Sequence, residues 1–294
     1  MVNDTKHDDT NRAPLGLARV RFDGEVLWAV RSGDVYSPLG AALAELLRLP
    51  RDEARGLIEK ARVDAATTGI RVDAVLAPVD PEHEVWAAGV TYLRSRDGRI
   101  EEATDGSPYD RVYVAKRPEL FFKATGRRVV GPGEPVGVRA DSGWDVPEPE
   151  LGVVLDAAGD VFGFVPGNDV SSRSIEGENL LYLPQAKVYT ASCALGPEIV
   201  PAWLAAPPFG IALTIEREGV TVFEGTTSTE TMARTLPDLA DWLFRGLDFP
   251  DGTVVLTGTG IVPGADFTLM PGDVVRIGID GIGTLANPVI KVGR

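Results

Sequence analysis

From Val85 onward the chain is cut by glycine and proline into apolar runs of strand length, a pattern that fits a strand-rich fold better than a helical bundle. The runs are VWAAGV (85–90), LFFKA (120–124), LGVVLD (151–156), VFGFV (161–165), GIALTIER (210–217), VTVFEG (220–225), TVVLTG (253–258), DVVRIGID (273–280) and IGTLANPVIKV (282–292). One amphipathic helix, LPDLADWLFRG (236–246), interrupts them. The 33 glycines and 22 prolines suit many tight connections. The expected class is therefore α+β and β-rich, with a mixed β-sandwich or roll over residues 81–294. Upstream, residues 17–22 and 25–30 read as a hairpin around Asp23-Gly24. Helical spacing over 39–49 and 52–63 and a strand in VDAVLAPV complete a small N-terminal α/β domain over residues 15–80. The polar residues 1–14 read as a flexible tail.

Composition narrows the partners. A net charge of −14 with no offsetting basic tract argues against nucleic acid and anionic membranes. Cys193 is the only cysteine, so neither an intrachain disulfide nor a cysteine-based zinc site is expected. The first 14 residues lack the apolar core of a signal peptide, and no apolar run is long enough to span a bilayer. A cytoplasmic location is the simplest expectation.

The segment DVPEPELGVVL (145–155) raises a specific question. Pro147 and Pro149 hold the backbone extended, so Glu148 and Glu150 point the same way at the mouth of a buried strand. Their repulsion requires compensating positive charge. If Asp156 opposes Asp160 in a hairpin, Glu148 faces Asn168; one bulge, placed at Pro166, would set it against Asp169 instead. Glu148, Glu150 and Asp169 would then converge. An all-oxygen set suits a hard divalent cation such as magnesium, manganese or calcium. The alternative is a solvated acidic rim in a chain with 43 acidic residues.

Downstream lie GNDVSSR (167–173), PQAKVYTASCALGP (184–197), LTGTG (256–260), MPGDVV (270–275) and GIGTLANPV (281–289). Together, in this order, they resemble the fumarylacetoacetate hydrolase superfamily over roughly residues 85–294. The resemblance implies a catalytic domain that binds one divalent metal, usually magnesium, on Glu148, Glu150 and Asp169. It implies a small anionic 2-keto acid substrate, with Arg173, Glu176 (a position often Gln), Lys187 and Thr259 as functional residues. A homodimer or homotetramer is expected on the same ground.

Hydrolases of this superfamily typically activate water with a His–Glu pair on a lid segment. Here that segment, TYLRSRDGRIEEA (91–103), contains no histidine. His83 lies upstream and reads as a loop residue. This segment and YDRVYVAKRPELFFKATGRRVVGP after it are similar to the 2-keto-3-deoxy-pentonate dehydratases of the superfamily. The implied activity is metal-dependent dehydration of 2-keto-3-deoxy-D-arabinonate to 2,5-dioxopentanoate in pentose catabolism. Lys187 and Glu119 are the candidates for the proton steps, with acid and base unassigned. Glu119 alternatively pairs with Arg117 or Lys123 at the rim. Arg94, with Tyr92 and Arg96, would form a cationic lid over the substrate. Two rival expectations stand beside this one: a hydrolase or decarboxylase of another 2-keto acid (acylpyruvate, oxaloacetate), and a catalytically silent cation-binding or assembly protein.

Overall fold

A computed structural model describes residues 15–93 and 107–294. The N-terminal unit is a four-stranded antiparallel sheet of β1 (Leu15–Phe22), β2 (Glu25–Ser32), β3 (Val35–Pro38) and β4 (Ala74–Leu76), ordered β3-β2-β1-β4. Asp23 and Gly24 both take positive φ, 49° and 79°, between Phe22 and its partner Glu25, as the Asp-Gly turn requires. Helices α1 (Leu43–Arg48) and α2 (Arg51–Thr68) join β3 to β4.

The larger part contains two sheets. The first comprises β5 (Glu84–Gly89), β6 (Glu119–Thr125), β7 (Val129–Val130), β10 (Pro149–Leu155), β11 (Val161–Asp169), β13 (Cys193–Leu195) and β17 (Thr253–Leu256). Its order is β6-β5-β17-β10-β11-β13-β7, and β14 (Val200–Pro201) pairs with β11 off that path. The second, ordered β16-β15-β18-β19-β8, is built from β8 (Val136–Arg139), β15 (Gly210–Arg217), β16 (Val220–Ser228), β18 (Val274–Ile279) and β19 (Gly283–Val292). A two-stranded ladder joins β9 (Asp145–Val146) to β12 (Ser171–Ser172). Among the described residues four helices fill the connections: α3 (Ser107–Val114), α4 (Arg173–Glu178), α5 (Leu183–Lys187) and α6 (Leu236–Phe244).

Both faces of the first sheet are buried, which is why LGVVL and TVVL are continuous apolar runs rather than alternating ones. Leu151, Val153, Leu155 and Val255 pack toward the second sheet with Leu213, Ile277 and Leu285. The intervening Val154, Val254 and Leu256 pack instead with Leu17, Trp28, Leu46 and Ile58 of the N-terminal unit. That core therefore runs across residue 80. Two backbone hydrogen bonds between Leu17 and Ile199, at 2.8 and 2.9 Å, extend the contact. The buried Arg31 guanidinium donates to both Glu198 oxygens.

The β10–β11 hairpin has its irregularity beside Val154 and Leu155, where Phe162 is skipped, and not at Pro166. Pro149 pairs with Asn168 and Glu150 with Gly167, so the frame carries Glu148 to Asp169. The Asp169 N–H donates to the Glu148 carbonyl at 3.0 Å. The bulge thus has the expected effect from a different place, close to the turn, where an extra residue is absorbed without disturbing the ladder near the carboxylates.

Candidate metal centre and active site

Glu148, Glu150 and Asp169 are all buried, and one oxygen from each lies within 4.8 Å of the others. Extended backbone at the start of β10 supplies two of them and the end of β11 the third. The Gly258 N–H holds Glu150 Oε2 at 2.7 Å. Gly258 has φ +89°, and a Cβ there would collide with Thr91 Oγ1, so the residue must be glycine to bring its amide to the carboxylate.

Three buried cations surround these acids. Arg173 begins α4, behind the Ser172 cap, and its Nη2 lies 2.8 Å from Glu148 Oε1. Its Nη1 reaches Glu176 Oε2 at 3.3 Å, one turn along the helix. Lys187 ends α5; its Nζ donates to Glu148 Oε2 at 2.8 Å, Asp169 Oδ2 at 3.1 Å and Ser171 Oγ at 2.6 Å. Lys123, fully buried on β6, ion-pairs with Asp169 Oδ1. It also donates to the carbonyls of Lys187 (2.6 Å) and Val170 (3.0 Å). The positive charge that the Glu148–Glu150 pair requires is thus largely built into the chain.

Glu150 is the exception. Glu148 and Asp169 are ion-paired, whereas Glu150 meets a backbone amide and no cation among the described residues. Burial and the charges of Asp169 and Glu148 hold its carboxyl well above the usual range, against the opposing pull of Lys187. Hard oxygen donors, close convergence and one uncompensated carboxylate fit a divalent cation such as magnesium.

The cleft over these carboxylates is lined by Gly89, Val90, Phe121, Arg173, Lys187 and Thr259. Thr259 Oγ1 is bound to the Ile261 backbone, accepting from its N–H at 3.1 Å. Glu176 is buried behind Arg173. Glu119 lies half-buried with its carboxylate over Gly89, where any Cβ would strike it. Neither rim partner expected for it takes that place: Lys123 serves Asp169, and Arg117 stacks on Trp242 at 4.6 Å. Arg94 and Arg96 lie outside the described residues, as does the tail. Tyr92 is buried nearby, its hydroxyl pushed up by burial and by Glu150. His83 is a core residue, accepting from Asp80 N–H at 3.1 Å with Nε2 2.9 Å from Asp251 O. Cys193 is buried opposite Asp169, its thiol pushed up to about 12 by burial, which makes it a poor nucleophile.

Sequence reasoning did not single out Lys123, Phe121 or Ser171 as parts of the site. A partial signal existed: Glu119 and Phe121 alternate along β6 and so share one face of the strand, whereas Lys123 is skipped in the pairing with β5. The Phe121 ring lies 5.5 Å from Lys187 Nζ.

Residues 85–290 match the family Fumarylacetoacetate (FAA) hydrolase C-terminal. The chain is 51% identical over 217 residues to a probable 2-keto-3-deoxyxylonate dehydratase of Haloferax volcanii, covering 73% of this chain and 74% of that protein. It is 45% identical over 223 residues to a 2-dehydro-3-deoxy-D-arabinonate dehydratase of Saccharolobus solfataricus, covering 74% of each chain. Among solved structures, 2-keto-3-deoxy-D-arabinonate dehydratase complexed with magnesium and 2,5-dioxopentanoate superposes with a TM-score of 0.80 at 37% identity, over 95% of this chain and 99% of that one. The region that matches the family contains all three carboxylates, Lys187 and the Gly258 amide: the chain belongs to the fumarylacetoacetate hydrolase family.

Proposed function

We propose that this protein is a magnesium-dependent hydro-lyase that converts 2-keto-3-deoxy-D-arabinonate to 2,5-dioxopentanoate. The observation that carries the reading is the convergence of Glu148, Glu150 and Asp169 with the Lys187 side chain in one buried cleft. The identity to two dehydratases over about three quarters of the chain supports it, and so does the histidine-free segment 91–103. Magnesium held by the three carboxylates would polarise the carbonyl of a 2-keto acid and so acidify its C3 protons.

The chain's own groups then handle the protons. Lys187 and Glu119 divide the proton steps: one takes a proton from C3, the C4–O bond breaks, and the departing hydroxide leaves as water with a proton from the other. The C3=C4 product still has its 5-hydroxyl; moving a proton from C5 back to C3 gives the C4=C5 enol, and transfer of the enol's hydroxyl proton to C4 gives the aldehyde of 2,5-dioxopentanoate. Arg173 and Thr259 orient the anionic end of the substrate, with Glu176 fixing the guanidinium. Arg94, which lies outside the described residues, is proposed on its charge alone as a further substrate-binding cation.

Among the described residues no helix is long and apolar enough to cross a membrane. We place the enzyme in the cytoplasm as a homodimer or homotetramer, to be checked by light scattering. The functional test is incubation with magnesium and a panel of 2-keto-3-deoxy acids, with product identification. Formation of 2,5-dioxopentanoate from the pentonate is expected. Efficient release of pyruvate from an acylpyruvate, without any dehydration, would overturn the assignment.

A further inference from the structure

The three buried cations do not hold the carboxylates alike. Lys123 sits behind Asp169, outside the lining of the cleft, and its remaining bonds go to the carbonyls of Val170 and Lys187. Arg173 takes Glu148 Oε1 and is braced by Glu176. Lys187 alone bridges two of the three carboxylates, reaching Glu148 Oε2 and Asp169 Oδ2 from inside the cleft. A divalent ion bonded to Glu148, Glu150 and Asp169 needs oxygens from that same set. A divalent ion and the ammonium would compete for those oxygens, and in a buried site their mutual repulsion penalises holding both at bonding distance.

We infer that in the metal-free protein the Lys187 ammonium occupies part of the metal's place at Glu148 Oε2 and Asp169 Oδ2, and that metal binding displaces it. A second position for the side chain is already present. Ser171 Oγ lies 2.6 Å from Nζ and accepts its hydrogen bond independently of the carboxylates. The ammonium also lies over the Phe121 ring, 5.5 Å from its centroid, and an aromatic face favours a cation. Displacement therefore moves Nζ off the two carboxylate oxygens while it keeps the hydroxyl. The site stays assembled without metal, and the metal binds less tightly than three carboxylates alone would hold it.

This inference rests on the reading of Glu148, Glu150 and Asp169 as metal ligands, and the experiment separates the two. Magnesium affinity is measured by calorimetry, without substrate, on the wild type, Lys187→Met, Glu150→Gln and Lys60→Met. Lys60 is an exposed residue of α2 and controls for the loss of one positive charge from the chain. Lys187→Met should bind magnesium at least ~10-fold more tightly, a gain of about 1.4 kcal/mol, and Lys60→Met should match the wild type. The rise in melting temperature on adding magnesium should also be larger in Lys187→Met, because its metal-free state has lost its internal cation. If Lys187→Met is not recovered folded, Lys187→Gln, which keeps a donor and loses the charge, takes its place under the same expectations. Equal or weaker affinity in the Lys187 variant, with affinity collapsed in Glu150→Gln, overturns the exchange alone. Undiminished affinity in Glu150→Gln overturns the metal assignment beneath it.

Discussion

Glu150→Gln should make the metal-free protein more stable while it cripples metal binding. The ligand oxygens of Glu148, Glu150 and Asp169 lie within 4.8 Å of one another. At an effective dielectric constant of about 20, two unit charges at that separation repel by about 3.5 kcal/mol, so Glu150 faces two such repulsions. Arg173, Lys123 and Lys187 offset much of this through Glu148 and Asp169, which leaves a net gain of roughly 1–3 kcal/mol on neutralising Glu150. The amide oxygen of Gln can still accept from the Gly258 N–H, so that bond survives. For a chain of this size such a gain raises the melting temperature by roughly 2–5 °C. The sign also depends on pH. A carboxyl held above its ordinary value of 4.5 stabilises the fold most at low pH, and that contribution drains away as pH climbs. The advantage of Gln should therefore be near zero at about pH 4 and open as the pH rises toward neutrality. The assay is thermal unfolding with a chelator across that range, paired with magnesium calorimetry. Affinity should fall at least ~100-fold, since one of three anionic ligands has lost its charge. A variant that melts below the wild type in chelator at neutral pH would refute the claim that Glu150 is uncompensated.

Three further outcomes follow from the same geometry. Lys187→Met should lose roughly 10²–10⁴-fold in single-turnover dehydration while remaining folded; a near-normal rate would leave Glu119 as the stronger candidate base. Lys123→Met leaves Asp169 Oδ1 without its buried ion-pair partner and should cost about 3–5 kcal/mol in chemical denaturation. Asp145 is buried and its carboxyl is pushed up to about 6 by desolvation. Its stabilising contribution is present at low pH and lost as pH rises through that value, so Asp145→Asn should match the wild type near pH 4. By about pH 8 the variant should be more stable by about 2 kcal/mol, measured by urea denaturation.

The long strands were legible because proline and glycine bracket nearly every apolar run, and each expected strand has a described one within a few residues; the short β3, β7, β8, β9, β12, β13 and β14 were not read. The carboxylates were legible for a local reason. Two prolines fix the direction of Glu148 and Glu150, and a hairpin of known pairing has few places to put Asp169. Where the bulge sits was not legible, since Pro166 and Phe162 offer it on equal terms until the contacts of Val154 and Leu155 are known. Lys123 was read only as a rim partner for Glu119, because a lysine in FFKA looks like the polar end of a strand. Its burial depends on Asp169, Val170 and Lys187, up to 64 residues away. The N-terminal unit reads as separate in sequence because its periodicity changes near residue 80. The fact that Leu17 and Trp28 share a core with Val254 and Leu256 is a property of packing that no local pattern expresses.

The position of β17 sets an order of events during synthesis. It lies between β5 and β10, pairing Val254 with Val85 in parallel and Val255 with Val153 in antiparallel fashion. Until it leaves the ribosome, β5 and β10 each present an open edge of unpaired amides and carbonyls. The Gly258 amide that holds Glu150 arrives with the same segment, 108 residues after the glutamate it serves. At about 5–20 residues per second, a nascent chain waits roughly 5–20 s between making the carboxylate and making its anchor. During that interval the β10–β11 hairpin carries its acidic mouth without the strand that closes the sheet. Slowed translation across residues 160–250 should therefore raise the demand for chaperones that shield strand edges.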